Sequence, residues 1–140
     1  MSNHRLIEIT DEVRAEVSSP DLDQKDMEYC VLSAQIDLRE IVAQNPKLPK
    51  QFAQWMAQDI EPTVRASLAQ NPNIDVQIIN ELSRDSNLAV ASAAASNPNL
   101  GADQVSELAI HRSYIVRTEI AQNVNVSIVV LEKLAKDSEW

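Results

Sequence analysis

An asparagine recurs every 26 residues in this chain, and no other feature of its sequence constrains the fold as strongly. The asparagines are Asn45, Asn71, Asn97 and Asn123, and a proline follows each of the first three. Four stretches align around them without a gap: REIVAQNPKL, RASLAQNPNI, ASAAASNPNL and RTEIAQNVNV. Because a fixed period of this length is typical of repeat architectures, we predict stacked copies of one unit.

The repeat divides the chain into an amino-terminal extension, residues 1-12, and one helical-repeat domain, residues 13-140. We expect a degenerate first unit over 13-38, followed by units at 39-64, 65-90, 91-116 and 117-140. Apolar residues at helical spacing, such as Val64, Leu68, Ile78 and Leu82, predict two short helices in each unit and an all-α fold.

Capping residues place the ends of these helices. The first helix of a unit is predicted to begin near Glu61, Asn87 or Ser113 and to end at the recurring asparagine. The second is predicted to begin after Asp23, Asp75, Gly101 or Ser127, and to continue to about Asp59, Asp85, His111 or Asp137. Alanines at 43, 69, 95 and 121 indicate close helix packing.

The best-matching unit resembles those of the leucine-rich repeat variant family. The resemblance is carried by Val64-Arg65, Leu68-Ala69, Asn71-Pro72, Ile79, Leu82 and Asp85. It implies a right-handed superhelical solenoid of about five 26-residue two-helix units, with no shared enzymatic activity. Some members carry a cysteine cluster for an iron–sulfur centre, but this chain has only Cys30, so no cofactor is expected. HEAT-like or armadillo-like helix pairs remain an alternative of similar shape.

Composition restricts the function further. The chain has one glycine, Gly101, so a glycine-rich phosphate loop is not expected. Its net charge of -9 disfavours direct nucleic-acid binding. With no long apolar run and no signal peptide at its start, we expect a cytoplasmic protein that does not bind a membrane. Cys30 falls in a core column, so we interpret it as a buried hydrophobic residue rather than a nucleophile.

The recurring asparagines are interpreted as structural, because an asparagine amide can satisfy backbone groups of a neighbouring unit. The alternative is a ladder of ligand-binding side chains. Arg39, Arg65 and Arg117 also share a column, and an aspartate follows each by 20 residues: Asp59, Asp85 and Asp137. The fourth unit has Ala91 and His111 at these positions, and the first has Val13 and Ser33. This covariation predicts three Arg–Asp bonds, unless it is a chance match, and makes His111 a replaced aspartate.

A partner-binding surface is predicted at the amino-terminal end. Tyr29 and Trp55 occupy a column whose other members are charged, so they should be exposed, and Phe52 lies one helical turn before Trp55. Residues 1–40 contain ten acidic and four basic residues, and we place Asp23, Asp26 and Glu28 at the rim of this surface. Exposed aromatics beside acidic groups favour a basic protein partner. Alternatively, residues 1–12 cover the aromatics, and the charge serves solubility.

The carboxyl-terminal helix is more apolar than its siblings, and no sixth unit follows it. We predict that Val129, Val130 and Trp140 leave a surface for self-association. The alternative is that Trp140 folds back as a lid.

These features favour a non-enzymatic protein-binding module. A stoichiometric inhibitor, such as an immunity protein that neutralises a basic bacterial nuclease toxin, would fit the acidic surface. The alternatives are an adaptor or homodimeric scaffold, and a HEAT-like DNA-repair glycosylase relative, which the charge disfavours.

Overall fold

The computed structural model describes residues 6–137, and this part of the chain is all-helical, with ten α-helices and no β-strand. The helices are α1 Asp11–Ser18, α2 Gln24–Val31, α3 Ile36–Ala43, α4 Lys50–Met56, α5 Pro62–Gln70, α6 Val76–Leu82, α7 Leu88–Ser96, α8 Ala102–Leu108, α9 Tyr114–Gln122 and α10 Ile128–Leu134. The all-α class predicted from the sequence is therefore confirmed. Each predicted division of the chain lies inside a helix, 12/13 in α1, 38/39 in α3, 64/65 in α5, 90/91 in α7 and 116/117 in α9, so each unit begins two or three residues earlier than predicted.

The first helices of the last three units begin and end where the sequence predicts, whereas α3 ends one residue earlier, with Gln44 as its C-cap. Helices α5, α7 and α9 follow Glu61, Asn87 and Ser113, and an asparagine closes each of them. The second helices end three residues earlier than predicted, at Met56, Leu82, Leu108 and Leu134. The reason is local: the backbone N–H groups of Asp59, Asp85, His111 and Asp137 donate to the carbonyls three residues earlier. The last turn is therefore tighter than an α-helix.

The odd-numbered helices form one layer, in which each contacts the next: α1 with α3, α3 with α5, α5 with α7, and α7 with α9. Helices α4, α6, α8 and α10 pack against the odd-numbered helix that follows or precedes them. This arrangement is compatible with the predicted repeat solenoid, whereas its right-handed superhelix stays a prediction. The core lies between the odd-numbered and the even-numbered helices and holds Leu68, Ile79 and Leu82.

Small side chains allow the odd-numbered helices to approach one another. Ala43, Ala69 and Ala95 are fully buried, in agreement with the close packing that their column predicts. Ala121, the last member of this column, is only half-buried. Leu131 and Ala135 are also more accessible than their equivalents in earlier units. Both are exposed, whereas Ile79 and Val105 in the Leu131 column are buried. The final unit therefore presents a face that every earlier unit covers with its successor.

At the other end of the molecule, the segment before α1 is tied to the loop before α3. The backbone N–H of Ile7 donates to the side-chain oxygen of Gln35 at 2.8 Å, and the Gln35 amide donates back to the Ile7 carbonyl at 2.8 Å. Ile7 and Ile9 pack against the core. Among residues 6–137, no helix has both the length and the apolar character that crossing a membrane requires.

Candidate partner-binding surface and the joints that hold it

A ladder of asparagine side chains joins each unit to the one before it. The Asn71 amide donates to the carbonyls of Ala43 and Asn45 at 2.8 and 2.9 Å, respectively. Asn45, Asn97 and Asn123 repeat these two bonds to the residues 28 and 26 positions earlier. Each asparagine is buried, and its oxygen accepts the N–H two residues ahead. These bonds to backbone carbonyls of the neighbouring unit are the kind that the structural interpretation of this column predicts.

A second, shorter ladder runs beside the first and was not predicted. The Asn99 amide donates to the carbonyls of Pro72 and Ile74 at 2.6 and 2.9 Å, and Asn125 does the same to Pro98 and Leu100. The signal in the sequence is the asparagine two residues after the recurring one, which stands at 73, 99 and 125.

The three predicted Arg–Asp pairs are present. Arg39 and Asp59 approach to 2.8 Å, Arg65 and Asp85 to 2.7 Å, and Arg117 also pairs with Asp137. Each guanidinium makes a further bond to the carbonyl six residues earlier, which belongs to the preceding unit. The arginine thus connects the ends of two successive units, which the sequence pattern alone did not indicate.

Charge and hydrogen bonding are matched at the Arg65–Asp85 pair. Burial tends to raise the pKa of Asp85, but hydrogen bonds from Arg65 and from the backbone N–H of Asn87, together with the Arg65 charge, lower it below its usual value. The hydrogen bond to Asp85 raises the pKa of Arg65. Both groups are therefore held in their charged forms.

His111 occupies the aspartate position of the fourth unit, and it performs part of the same structural task. Its Nδ1 accepts the backbone N–H of Ser113 at 3.0 Å, as Asp59 and Asp85 accept the N–H groups of Glu61 and Asn87. This bond fits the interpretation of His111 as a replaced aspartate.

Tyr29 and Trp55 are exposed, as their charged column predicts, with 57% and 45% of their surface accessible, respectively. Residues 6–12 do not cover them, although Leu6 lines a cavity of about 440 Å³ together with Tyr29, Leu32 and Glu28. Leu32 is also exposed, and it was not predicted to belong to this surface. The signal was available, because Leu32 lies one helical turn after Tyr29.

Phe52 is not part of this exposed surface, and its prediction as a partner-contacting residue is wrong. Only 3% of Phe52 is accessible, because α4 turns Phe52, Ala53 and Met56 towards the core while Trp55 points outward. Its column continues as Ile78, Gln104 and Val130, all of which are buried. The Phe52 ring instead packs against the Trp55 ring, with the two ring centroids 5.5 Å apart.

The three acidic rim residues differ in their roles. Asp26 and Glu28 are exposed on α2, beside Tyr29. Asp23 is exposed as well, but its carboxylate accepts the N–H groups of Lys25 and Asp26 at 2.7 and 3.0 Å and caps α2. A change at Asp23 would therefore affect the helix before it affected a partner.

At the carboxyl-terminal end, the surface differs from the prediction. Val129 is exposed, but Val130 is 4% accessible and belongs to the core, because it shares the buried column of Phe52. Trp140 lies outside the described residues, and so does any lid that it forms. Leu131 is 36% accessible and extends the exposed surface of Ile128 and Val129.

Within residues 6–137, no group of three or more histidine, cysteine or acidic side chains is placed to hold a metal ion. Cys30 is buried. Burial, followed by the charges of Asp26 and Glu16, raises the pKa of its thiol, which opposes formation of a reactive thiolate.

Comparison of the chain with protein families, with curated proteins and with solved structures finds no match.

Proposed function

We propose that this protein is a non-enzymatic binding module whose partner contacts the surface formed by Tyr29, Leu32 and Trp55 beside Asp26 and Glu28. The observation that carries this proposal is the exposure of both aromatic side chains on a framework joined unit by unit. Exposed aromatics that are already held in place lose little conformational freedom on binding, and such residues dominate protein interfaces. The resemblance to the leucine-rich repeat variant family supports the same class of protein.

The chemistry of this surface favours a basic partner. The cavity beside Tyr29 has an apolar wall, formed by Leu6 and Leu32, and two charged groups, the Glu28 carboxylate and the Lys25 ammonium. A lysine or arginine side chain could place its aliphatic part on Leu32 and its charge near Glu28 and the Tyr29 ring. The net charge of -9 would also accelerate encounter with a positively charged protein.

A stoichiometric inhibitor, of the kind that covers the basic cleft of a nuclease toxin, fits these requirements. It would act in the cytoplasm by occupying the cleft, with no reaction of its own. The same negative charge disfavours the alternative of a DNA-repair glycosylase relative, which needs a basic surface for its substrate.

The test is affinity capture from cells that produce the protein, followed by titration of the purified partner against wild type, Trp55→Ala and Tyr114→Ala. Tyr114 is a matched control because it is also an exposed aromatic residue, at 58% against 45% for Trp55, but lies on α9. Loss of a central aromatic should weaken binding about thirtyfold, while Tyr114→Ala should leave it unchanged. Equal affinities of the two variants, with both folded, would reject this surface.

A homodimeric scaffold is a second candidate, and the uncovered face of the final unit favours it. Leu131 is exposed there, whereas Ala53, Ile79 and Val105 in the same column are buried by the next unit. A second copy that covered Leu131, Ile128 and Val129 would remove this exposed apolar surface from water.

A further inference from the structure

The arginine column is interrupted at Ala91, and a cavity of about 310 Å³ lies beside this residue. In the units that carry an arginine, the guanidinium lies between two turns, one at the end of the preceding unit and one at the end of its own unit. The cavity at Ala91 lies between the equivalent turns, which contain Asp85 and His111. It therefore occupies the place where the other units hold a guanidinium.

The chemistry of the cavity is not that of a vacant arginine site. His111 replaces the aspartate, and its Nδ1 already accepts the N–H of Ser113. A neutral imidazole that accepts through Nδ1 carries its proton on Nε2, so the other ring nitrogen is a hydrogen-bond donor. The Asp85 carboxylate is bonded to Arg65 at 2.7 and 3.1 Å and to the N–H of Asn87. A guest guanidinium would therefore find no unpaired carboxylate in this cavity.

The remaining walls add donors and positive charge. Arg84 and Arg112 line the cavity, together with the hydroxyl-bearing Ser86 and Ser113. Arg84 shares its charge with Glu107 in an exposed pair. Arg112 belongs to none of the ion pairs formed within residues 6–137. In a chain with a net charge of -9, this cavity therefore combines two guanidinium groups with neutral donors, and its one carboxylate, Asp85, is already paired with Arg65.

The geometry points to an oxyanion site at this cavity, which binds a phosphate group through Arg84, Arg112, His111 and the two serines. Guanidinium groups donate in a planar fork that matches phosphate oxygens, and hydroxyl and imidazole N–H groups can satisfy the remaining oxygens. The source is inorganic phosphate or a small phosphomonoester. A water molecule occupies about 30 Å³ in the liquid, so a cavity of about 310 Å³ has room for a phosphate and for a group attached to it. This inference does not depend on the proposed protein partner.

The experiment is a titration of the full chain with inorganic phosphate and, separately, with phenyl phosphate at constant ionic strength. Binding is measured from the NMR chemical shifts of the backbone and of the histidine rings. Shifts should be confined to the turns at 84–88 and 111–113. Tighter binding of phenyl phosphate would assign the site to phosphomonoesters, and equal binding would assign it to free phosphate.

Three variants test the site itself. Ala91→Met should fill the cavity with an uncharged side chain and abolish binding, and Arg112→Ala should weaken it about tenfold or more, as expected for the loss of one hydrogen bond to a charged group. Arg14→Ala is the matched control, because it removes the same charge from an exposed position on α1.

Three results would overturn the inference. They are the absence of localised shifts up to about 10 mM of either probe, an equal loss of affinity in Arg14→Ala and Arg112→Ala, and undiminished binding by a folded Ala91→Met variant. Because Arg112 is exposed, its variant should fold even if Ala91→Met does not.

Discussion

The guanidinium of Arg65 meets the carboxylate of Asp85 through two hydrogen bonds, at 2.7 and 3.1 Å, and donates a third bond to the carbonyl of Asp59 at 2.6 Å. Only 15% of the Arg65 side chain and 11% of the Asp85 side chain are accessible. One side chain therefore fixes the turn that ends its own unit and the turn that ends the preceding unit.

A double-mutant cycle on Arg65→Ala and Asp85→Ala should give a coupling free energy of about 1 kcal/mol, measured by urea unfolding. Both groups are charged and directly bonded, so the loss of unfolding free energy in the double variant should differ from the sum of the losses in the two single variants. The matched cycle on Arg84→Ala and Glu107→Ala, an exposed pair, should give a smaller coupling. Strictly additive losses at Arg65 and Asp85 would contradict the prediction.

The same pair should make stability depend on pH in a defined direction. The folded-state pKa of Asp85 is lowered, so its contribution is fully present above the unfolded pKa of about 3.9. It is lost as the pH falls through the folded pKa. Urea unfolding of wild type and Asp85→Asn should therefore show a difference in stability at pH 7 that shrinks towards pH 3.

Ala91→Arg combined with His111→Asp should restore the pair that the fourth unit lacks. The new guanidinium would lie between the Asp85 carbonyl and the new carboxylate, as Arg65 lies between its own two turns. The double variant should be more stable than the sum of its single variants by about 1 kcal/mol. Thermal unfolding of all four proteins checks this, and an additive result would show that unit four cannot accept the pair.

Asn71→Ala should cost about 2 kcal/mol, because it removes both donors to the buried carbonyls of Ala43 and Asn45. Asn71→Asp should cost more at pH 7, since a carboxylate would face the same two carbonyls. The difference between these variants should narrow on acidification, because the introduced carboxyl group can donate one bond once it is protonated. Asn73→Ala, in the same loop but exposed, is the control and should change little.

Gln104→Ile should stabilise the protein by about 1 kcal/mol. Gln104 is 8% accessible, and its Oε1 has no hydrogen-bond partner among residues 6–137, whereas Ile78 fills the same column in the unit before. Gln77→Ile, at an exposed position, should stay within about 0.5 kcal/mol of wild type. A destabilised Gln104→Ile variant would indicate that the polar side chain is needed at this position.

Leu131→Lys should abolish any self-association of the carboxyl-terminal face, since it places a charge in the centre of the exposed apolar surface. Sedimentation velocity over micromolar concentrations measures this directly. Lys133→Ala, on the same helix, is the comparison variant. If wild type and Leu131→Lys are both monomeric, the homodimeric scaffold is excluded.

The sequence predicted most of the repeat because the periodic positions are determined by local chemistry. Asn71 precedes Pro72, and proline disfavours helical geometry in the residue before it, so the end of the helix can be read from the sequence. The arginine and aspartate columns, to which Arg65 and Asp85 belong, change together from unit to unit. The prediction was wrong where a column mixes residue types. The column of Phe52 also holds Asp26 and Gln104, so its pattern does not indicate burial, yet the packing of α4 buries Phe52. The Ala91 cavity could not be predicted, because it depends on how two turns approach each other in space.

The Asn71 amide donates to two backbone carbonyls and to no side chain of the preceding unit. A main-chain acceptor is present whichever amino acid occupies the position, so the joint places no demand on the side chains it meets. Units as different as RASLAQNPNI and ASAAASNPNL can therefore sit next to each other in one array. A unit could be duplicated or removed in whole steps of 26 residues without designing a new joint. The asparagine bonds thus depend on the recurring positions, so the exposed side chains can differ from unit to unit without changing these joints.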